Sequence, residues 1–187
     1  MRLFVALPFP DEVRNEMKRV ARAGEQDRSI RWLPSDGFHI TLKFLGETET
    51  ERLPALNHAL REAAAAARRL NLQISGAGVF PDDRHPKIFW AGLSGDTAEL
   101  KRLAADLEAR TAAIGFPTEE RAFTPHATLA RCHRHGHCGP KSAETFRAAF
   151  SKAAPPPFEA TEMHLMRSHL GPNGADYELL EAFPFPK

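Results

Sequence analysis

Two short segments of the sequence share residue types that can move protons. Residues 39–42 are His-Ile-Thr-Leu, and residues 126–129 are His-Ala-Thr-Leu. At this composition roughly 0.05 copies of His-x-Thr-Leu are expected by chance, so two copies favour a shared role. Because the ordinary pKa of histidine is about 6.5, one imidazole can accept a proton while the other donates a proton. The threonine hydroxyls can stabilise charge on phosphate oxygens. These four groups suit a displacement at phosphorus that requires no metal ion.

The spacing within each segment fits a β-strand with one polar face. Side chains at positions i and i+2 of a strand point to the same side, so His39 and Thr41 share a face. His126 and Thr128 share a face in the same way, and the apolar residues that alternate with them point toward a core. If the two strands come together, two imidazoles and two hydroxyls converge, and we expect the catalytic centre there.

Two basic residues beside these segments are further candidates for binding a phosphate. Lys43 has the strand parity of His39, which would direct its ammonium toward the phosphate; the alternative is an ordinary lysine that ends in solvent. Arg131 has the opposite parity to His126, so it reaches the same face only if the strand bulges or ends there. Arg131 remains a candidate because a guanidinium suits phosphate recognition.

The composition is that of an ordinary globular chain. It has 187 residues, of which 42% are hydrophobic and 26% charged, enough for one domain with a proper core. The formal net charge is +1, so a nucleic acid would have to bind through a local site. No stretch approaches the roughly 18 apolar residues of a membrane span, and residues 3–7 fit an N-terminal strand better than a signal peptide. With only two cysteines, a reducing cytoplasm is the expected location.

Periodicity and proline positions divide the chain into strands and helices. Strands are predicted over residues 2–7, 30–32, 38–45, 72–79, 87–93, 123–130, 158–170 and 177–185. Helices are predicted over residues 11–23, 51–70, 97–114 and 142–152, with a turn over residues 171–174. Several strands follow one another without a helix between them, which predicts an α+β fold with antiparallel pairing. Because each half carries one histidine segment followed by a helix, we expect two pseudo-symmetric lobes within one domain over residues 1–187.

The segment from Cys132 to Cys138, which we call the Cys/His loop, holds two thiols and three imidazoles, all possible zinc ligands. Five residues separate the cysteines, a spacing that matches no common zinc pattern. We interpret the segment as a solvated basic loop near the mouth of the cleft, with a metal site as the alternative.

Three aromatic residues could stack on a nucleobase, as aromatic side chains do in single-strand binding sites. They are Phe9, Trp32 and Tyr177. For each of them taken alone, core packing is the expected role.

On these segments the sequence resembles the two-histidine phosphoesterase superfamily, and within it the LigT-like RNA 2′,3′-cyclic phosphodiesterases, also called 2′-5′ RNA ligases. The resemblance covers nearly the whole chain, and the two histidine segments with their flanks are its specific part. Weaker matches are the opening strand MRLFVALPFP, residues 31–33 (RWL), residues 76–81 (GAGVFP), residues 168–170 (SHL) and Tyr177.

The resemblance implies a bilobal α+β fold with outer helices and an active site in the central cleft. It implies metal-independent hydrolysis, without a cofactor, of the 2′,3′-cyclic phosphate end of an RNA or nucleotide to a 2′-phosphomonoester. His39 would donate a proton to the leaving 3′ oxygen, and His126 would accept a proton from the attacking water. Thr41 and Thr128 would bind the phosphate. The reverse reaction would join a cyclic end to a 5′-hydroxyl through a 2′-5′ linkage.

Two other classes of protein fit parts of the sequence. The first is a nucleotide or RNA-end binding module that uses the same cleft without turnover; the intact pair of histidines argues against it, because binding needs hydroxyls and cations more than two titrating groups. The second is a metal-dependent protein centred on the Cys/His loop, which activity in the presence of a chelator would exclude for the main reaction. We expect a monomer with no obligate protein partner and no membrane contact.

Overall fold

A computed structural model of the chain describes residues 1–24, 27–133, 136–171 and 174–187. The strands are β1 (Arg2–Pro8), β2 (Ile30–Trp32), β3 (His39–Glu47), β4 (Leu70–Phe80), β5 (Ile88–Gly95), β6 (His126–Cys132), β7 (Phe158–Ala160), β8 (Glu162–Gly171) and β9 (Gly174–Pro184). The helices are α1 (Asp11–Gly24), α2 (Leu53–Ala66), α3 (Thr97–Ala113) and α4 (Pro140–Phe150), with short 3-10 turns at Ser35–Gly37 and Thr50–Arg52.

Across the described residues, the nine strands form one sheet in the order β7-β4-β5-β6-β3-β1-β8-β9, with β2 paired to β6. Every pairing is antiparallel. The sheet curls into two lobes. The first lobe contains β1, β3, β8 and β9 with α2 and α3, and the second contains β2 and β4–β7 with α1 and α4. The predicted α+β fold with two lobes of antiparallel sheet is therefore confirmed.

The lobes join where β3 and β6 lie side by side, and a single residue pair, Ile40 opposite Ala127, links the two strands. Both residues are fully buried. Beyond this pair β3 stays beside β1, whereas β6 stays beside β5 and β2, so the two strands part at the junction. We call the face of the sheet that carries both histidines at this junction the cleft. The two histidine segments therefore lie at the centre of the sheet.

The helices cover the sheet through apolar faces at helical spacing. In α3, Leu100, Leu103 and Leu107 are all buried, as their spacing predicts. Gly115 follows the helix with a φ of 84°, the left-handed conformation that commonly terminates helices.

Three of the differences from the predicted boundaries have a clear physical cause. The helix predicted over residues 51–70 ends at Ala66, because Leu70 is drawn into the sheet opposite Ala160. The strand predicted from residue 123 begins at His126, directly after a proline that has no N–H to donate. The strand predicted over residues 158–170 is two strands, β7 beside β4 and β8 beside β1, so the chain crosses between lobes at Thr161.

Two predicted features fall partly outside the described residues. They are the turn over residues 171–174, of which 172–173 are not described, and the Cys/His loop, of which 134–135 are not described. Among the described helices, none is long and apolar enough to span a membrane.

Candidate active site

His39 and His126 stand at the first positions of neighbouring antiparallel strands. Because Ile40 lies opposite Ala127, extending the register by one residue in each direction places His39 opposite Thr128 and Thr41 opposite His126. Opposed residues of two strands point to the same face. The structure therefore brings the two imidazoles and the two hydroxyls together, as the sequence spacing predicts.

Both imidazoles are held by the same backbone hydrogen bond. The Nδ1 of His39 donates to the carbonyl oxygen of Gly37 at 2.7 Å, and the Nδ1 of His126 donates to the carbonyl oxygen of Thr124 at 2.7 Å. Each acceptor lies two residues before its histidine and can only accept, so Nδ1 carries a hydrogen in both rings. This arrangement leaves Nε2 as the atom available for proton transfer.

Aromatic rings fix the orientation of each imidazole. Phe4 and Tyr177 lie beside His39, with ring centroids at 4.9 Å and 5.2 Å. Phe80 and Trp90 lie beside His126, with centroids at 5.3 Å and 6.2 Å. Each histidine is therefore supported by two rings in addition to its backbone hydrogen bond.

The two histidines differ in their surroundings. Burial, and secondarily the nearby His126, lower the pKa of His39 to about 4, although its hydrogen bond to Gly37 works in the opposite direction. His39 is therefore neutral at neutral pH in the free protein. Its Nε2 then accepts a hydrogen bond from the hydroxyl of Thr41 at 3.0 Å.

A β-bulge follows each histidine segment. In β3 the register with β1 shifts between Thr41 and Lys43, which leaves Leu42 as the extra residue. In β6 the register with β5 shifts between Thr128 and Ala130, which leaves Leu129 as the extra residue. The bulges occupy equivalent positions, three residues after each histidine, and each reverses the facing of the residues that follow.

The bulge in β3 turns Lys43 away from the cleft, so the expectation that its ammonium faces the phosphate is corrected. The side chain is 1% exposed, and its Nζ lies 2.9 Å from a carboxylate oxygen of Glu108. It also donates to the carbonyl oxygen of Pro117 at 2.7 Å. Strand parity failed here because Leu42 adds one residue to the strand.

The bulge in β6 has the opposite consequence for Arg131. Leu129 and Ala130 are both buried, and Arg131 is exposed with the facing of His126 and Thr128. The condition under which Arg131 reaches the cleft, a bulge in its strand, is therefore met.

Phe44 occupies the position in β3 that Arg131 occupies in β6, and sequence reasoning missed it. Its side chain is 55% exposed, and its ring centroid lies 6.3 Å from that of Phe4, which contacts His39. Each is the fifth residue after its histidine, a correspondence that aligning the two segments would have revealed. The cleft therefore has an aromatic end at Phe44 and a cationic end at Arg131.

The aromatic residues considered for base stacking separate into two groups. Phe9 is buried against Phe158, and the Trp32 ring packs on Phe146, so both serve the core. Tyr177 lies beside His39, and its ring approaches Gly37 so closely that a Cβ there would lie 3.3 Å from it.

The structure joins Cys132 and Cys138 in a disulfide, which corrects the expectation of two thiols in the Cys/His loop. Their Cα atoms are 5.9 Å apart, and Cys132 directly follows Arg131 in β6. Over the residues that the structure describes, no group of three or more histidine, cysteine or acidic side chains is placed to hold a metal ion.

Comparison with protein families and with curated proteins gives a consistent match. A family model described as the 2′-5′ RNA ligase superfamily matches residues 9–172. A protein of Geobacillus stearothermophilus named RNA 2′,3′-cyclic phosphodiesterase is 30% identical over 97% of this chain, which spans 56% of that relative's length. A Thermus thermophilus protein of the same name is 32% identical over 98% of this chain and 89% of its own length.

Solved structures share the fold. A crystal structure from Thermus thermophilus superposes with a TM-score of 0.82 at 28% identity, covering 99% of this chain and 98% of its own. The apo form of LigT from E. coli superposes with a TM-score of 0.76 at 25% identity, covering 100% and 98% of the two chains. These matches extend over both lobes and both histidine strands.

Proposed function

Because the chain belongs to the 2′-5′ RNA ligase superfamily, we propose that it is an RNA 2′,3′-cyclic phosphodiesterase, a phosphoric diester hydrolase. The observation that carries this proposal is the pair of histidines on adjacent strands, each held through Nδ1 so that Nε2 is available. Two imidazoles in the same tautomer, with two hydroxyls opposite them, suit one proton donation and one proton abstraction at a single phosphate.

The substrate phosphate would lie over the junction of β3 and β6. Thr41 and Thr128 would donate hydrogen bonds to its non-bridging oxygens, where negative charge develops as the nucleophile adds. Arg131 would approach from the cationic end of the cleft, and its planar guanidinium can bind two phosphate oxygens at once. Lys43 has no part in this arrangement, since its ammonium binds Glu108 on the other face.

The hydrolytic step uses the two histidines in opposite senses. Nε2 of His126 accepts a proton from water as the water oxygen attacks phosphorus. The P–O3′ bond breaks, and Nε2 of His39 donates its proton to the leaving 3′ oxygen. The products are a 2′-phosphomonoester and a 3′-hydroxyl. In the reverse direction a 5′-hydroxyl replaces water, the roles of the histidines exchange, and a 2′-5′ linkage forms.

The donor role sets a condition on His39. Because burial lowers its pKa to about 4, the proton must be stabilised by the bound substrate. An anionic phosphate beside the imidazole favours the charged form and raises the pKa. On this proposal His39 becomes an acid only when the substrate is present, and the hydroxyl of Thr41 is then released to bind the phosphate.

The substrates that this chemistry fits are RNAs or nucleotides with 2′,3′-cyclic phosphate ends, and the two histidines require no metal ion or cofactor. We also propose that the enzyme acts in the cytoplasm as a monomer. We also propose that residues 1–187 form one bilobal domain, since a single sheet runs through both lobes and the catalytic pair lies on their junction.

The test is an assay on a short RNA with a 2′,3′-cyclic phosphate end, performed in EDTA and resolving 2′- from 3′-phosphate products. We expect the 2′-phosphate, abolished in His126→Ala and retained in His58→Ala, which changes an exposed histidine of α2. A 3′-phosphate product would overturn the assignment of the leaving oxygen. Tight binding without any product would favour the non-catalytic binding module.

A further inference from the structure

The described residues include three large hydrophobic side chains that are mostly open to solvent. They are Phe44, Leu170 and Leu179, which are 55%, 72% and 49% exposed. All three belong to the first lobe, on strands β3, β8 and β9. Single exposed hydrophobic residues are common, but several that share one face of a sheet can form a binding surface. The face of the sheet on which each side chain lies therefore matters.

The register of the sheet places two of these side chains in one row with the wall of the active site. Phe44 pairs with Phe4, Phe4 pairs with Met166, and Met166 pairs with Leu179. Directly opposed residues share a face of the sheet. Phe4 contacts His39, so the whole row lies on the cleft face.

A second route along the sheet gives the same facing for Leu179. Tyr177, two residues earlier in β9, places its ring 5.2 Å from that of His39 and therefore faces the cleft. Residues two apart in a strand share a face, so Leu179 faces the cleft as well. We call Phe44, Phe4, Met166 and Leu179 the apolar row.

The apolar row is wider than one nucleobase requires. It crosses three intervals between strands, which at about 4.8 Å each gives a width of about 14 Å. Its near end, Phe44, is next to the catalytic strand, and its far end, Leu179, is on an edge strand. A single terminal base at the cyclic phosphate would cover only the near end.

We propose that the far end of the apolar row, Met166 and Leu179, binds the base of the nucleotide that precedes the cyclic-phosphate end. This inference rests on the proposed function and extends it to a specific substrate class, single-stranded RNA ends longer than one nucleotide. The row carries no hydrogen-bonding side chain that could read a base edge. Binding is therefore tolerant of sequence, as is usual when bases stack on apolar side chains.

An RNA base fits this face better than other occupants for two reasons. The row adjoins the catalytic wall at Phe4, which is only 3% exposed because the rings of His39, Phe44 and Tyr177 pack around it. The members of the row that meet solvent, Phe44 and Leu179, therefore flank the rings beside His39, and an RNA held at the cyclic phosphate can extend across them. The opposite end of the cleft is cationic at Arg131, which suits a polyanion whose bases lie on one lobe and whose phosphates face the other.

The test compares two substrates across three proteins. The substrates are a mononucleoside 2′,3′-cyclic phosphate and a trinucleotide with the same end, and the proteins are wild type, Leu179→Ala and Leu170→Ala. Leu170 is the control for position along the strand, because it is a more exposed leucine on the same hairpin and shares the face of Met166, but lies four residues further along β8, about 13 Å away. We expect wild type to show a lower KM for the trinucleotide. Leu179→Ala raises that KM about three- to tenfold and leaves the mononucleotide unchanged, while Leu170→Ala alters neither.

Three outcomes overturn the inference. The first is a wild-type protein with equal KM values for the two substrates, and the second is a Leu179→Ala variant that changes the KM of both substrates equally. The third is a Leu179→Ala variant with unchanged kinetics but a lower molecular mass than wild type in sedimentation, which would make the row an interface between copies of the chain. If wild type hydrolyses neither substrate, the proposed function fails separately. The apolar row is then judged by binding of the same trinucleotide, which Leu179→Ala must weaken.

Discussion

The strands β3 and β6 have nearly the same construction and different surroundings. Each begins with a histidine held through Nδ1 by the carbonyl two residues before it, and each has a bulge three residues later. After the bulge, β3 exposes Phe44 and β6 exposes Arg131. The common construction holds two imidazoles in the same tautomer, and the two ends differ in chemistry, one being aromatic and the other cationic.

The surroundings of the histidines differ as well. His39 is desolvated enough that its pKa falls to about 4, and Lys43 beside it anchors β3 to α3 through Glu108. The equivalent residue in β6 is Ala130, which is buried without any polar contact to make. The two strands thus share a construction and differ in what surrounds it, and on the proposed function the burial of His39 makes its donor role depend on the bound substrate.

Removing either histidine should have the largest effect. We expect His39→Ala and His126→Ala each to lower kcat by about 10²- to 10⁴-fold, because each removes one proton transfer from the same step. Circular dichroism should show an unchanged fold, and His58→Ala serves as the control. A fully active His126→Ala protein would remove the second strand from the mechanism.

The threonines should contribute less than the histidines, and the contribution should be similar in both strands. A hydrogen bond to a charged group is worth about 1.5–3 kcal/mol, so Thr41→Ala and Thr128→Ala should each reduce kcat/KM by about 10- to 150-fold. Serine at either position retains the hydroxyl and should restore most of the activity. Full activity in the double alanine variant would show that neither hydroxyl binds the phosphate.

Adding a methyl group to the glycine that packs against the aromatic rings should destabilise the protein more beside His126 than beside His39. A Cβ on Gly78 would lie 2.2 Å from the Trp90 ring, whereas a Cβ on Gly37 would lie 3.3 Å from the Tyr177 ring. We expect Gly78→Ala to lower the free energy of unfolding by about 1–3 kcal/mol and to displace Trp90 from His126, with a smaller loss for Gly37→Ala. Gly139→Ala, where a Cβ meets no atom within 4 Å, is the control in thermal unfolding. An equal decrease in the free energy of unfolding in Gly78→Ala and Gly37→Ala would contradict the expected difference between the two histidine environments.

Acid should destabilise the protein through His39. Its pKa is about 4 in the folded chain and about 6.5 when unfolded, so the unfolded state binds more protons between these values. Stability therefore falls as the pH decreases through this window. We expect about 2 kcal/mol of the loss between pH 7 and pH 4.5 to disappear in His39→Gln, measured by urea unfolding. An unchanged loss in that variant would place the titrating group elsewhere.

The smallest effects should come from the two ends of the cleft, and they should differ in kind. Arg131→Ala should raise KM about three- to tenfold and weaken its dependence on salt, because a phosphate contact releases a counterion. Phe44→Ala should raise KM by a similar factor without altering the salt dependence, because stacking is not a charge interaction. Equal salt slopes in the two variants would mean that the ends are not chemically distinct.

Much of this architecture could be predicted from local spacing. The shared facing of His39 with Thr41, and of His126 with Thr128, follows from strand periodicity and agrees with the structure. The antiparallel α+β fold followed from strands that succeed one another without helices. These features depend on a few consecutive residues.

The remainder depends on tertiary structure. Strand periodicity placed Lys43 in the cleft and Arg131 out of it, and the bulges at Leu42 and Leu129 reversed both placements. A bulge accommodates the curl of the whole sheet, so its position cannot be read from one strand alone. The crossing between lobes at Thr161 and the disulfide between Cys132 and Cys138 were also missed, because both depend on how distant parts of the chain pack together.

The most direct test of the two histidine roles is a substrate in which sulfur replaces the leaving 3′ oxygen of the cyclic phosphate. A thiol has a pKa of about 8.5 and leaves as the thiolate without a proton, so it no longer needs an acid. We predict that His39→Ala regains activity close to that of wild type on this substrate, while His126→Ala remains inactive. Rescue of His126→Ala instead would reverse the assignment, and rescue of neither variant would contradict acid catalysis by a histidine.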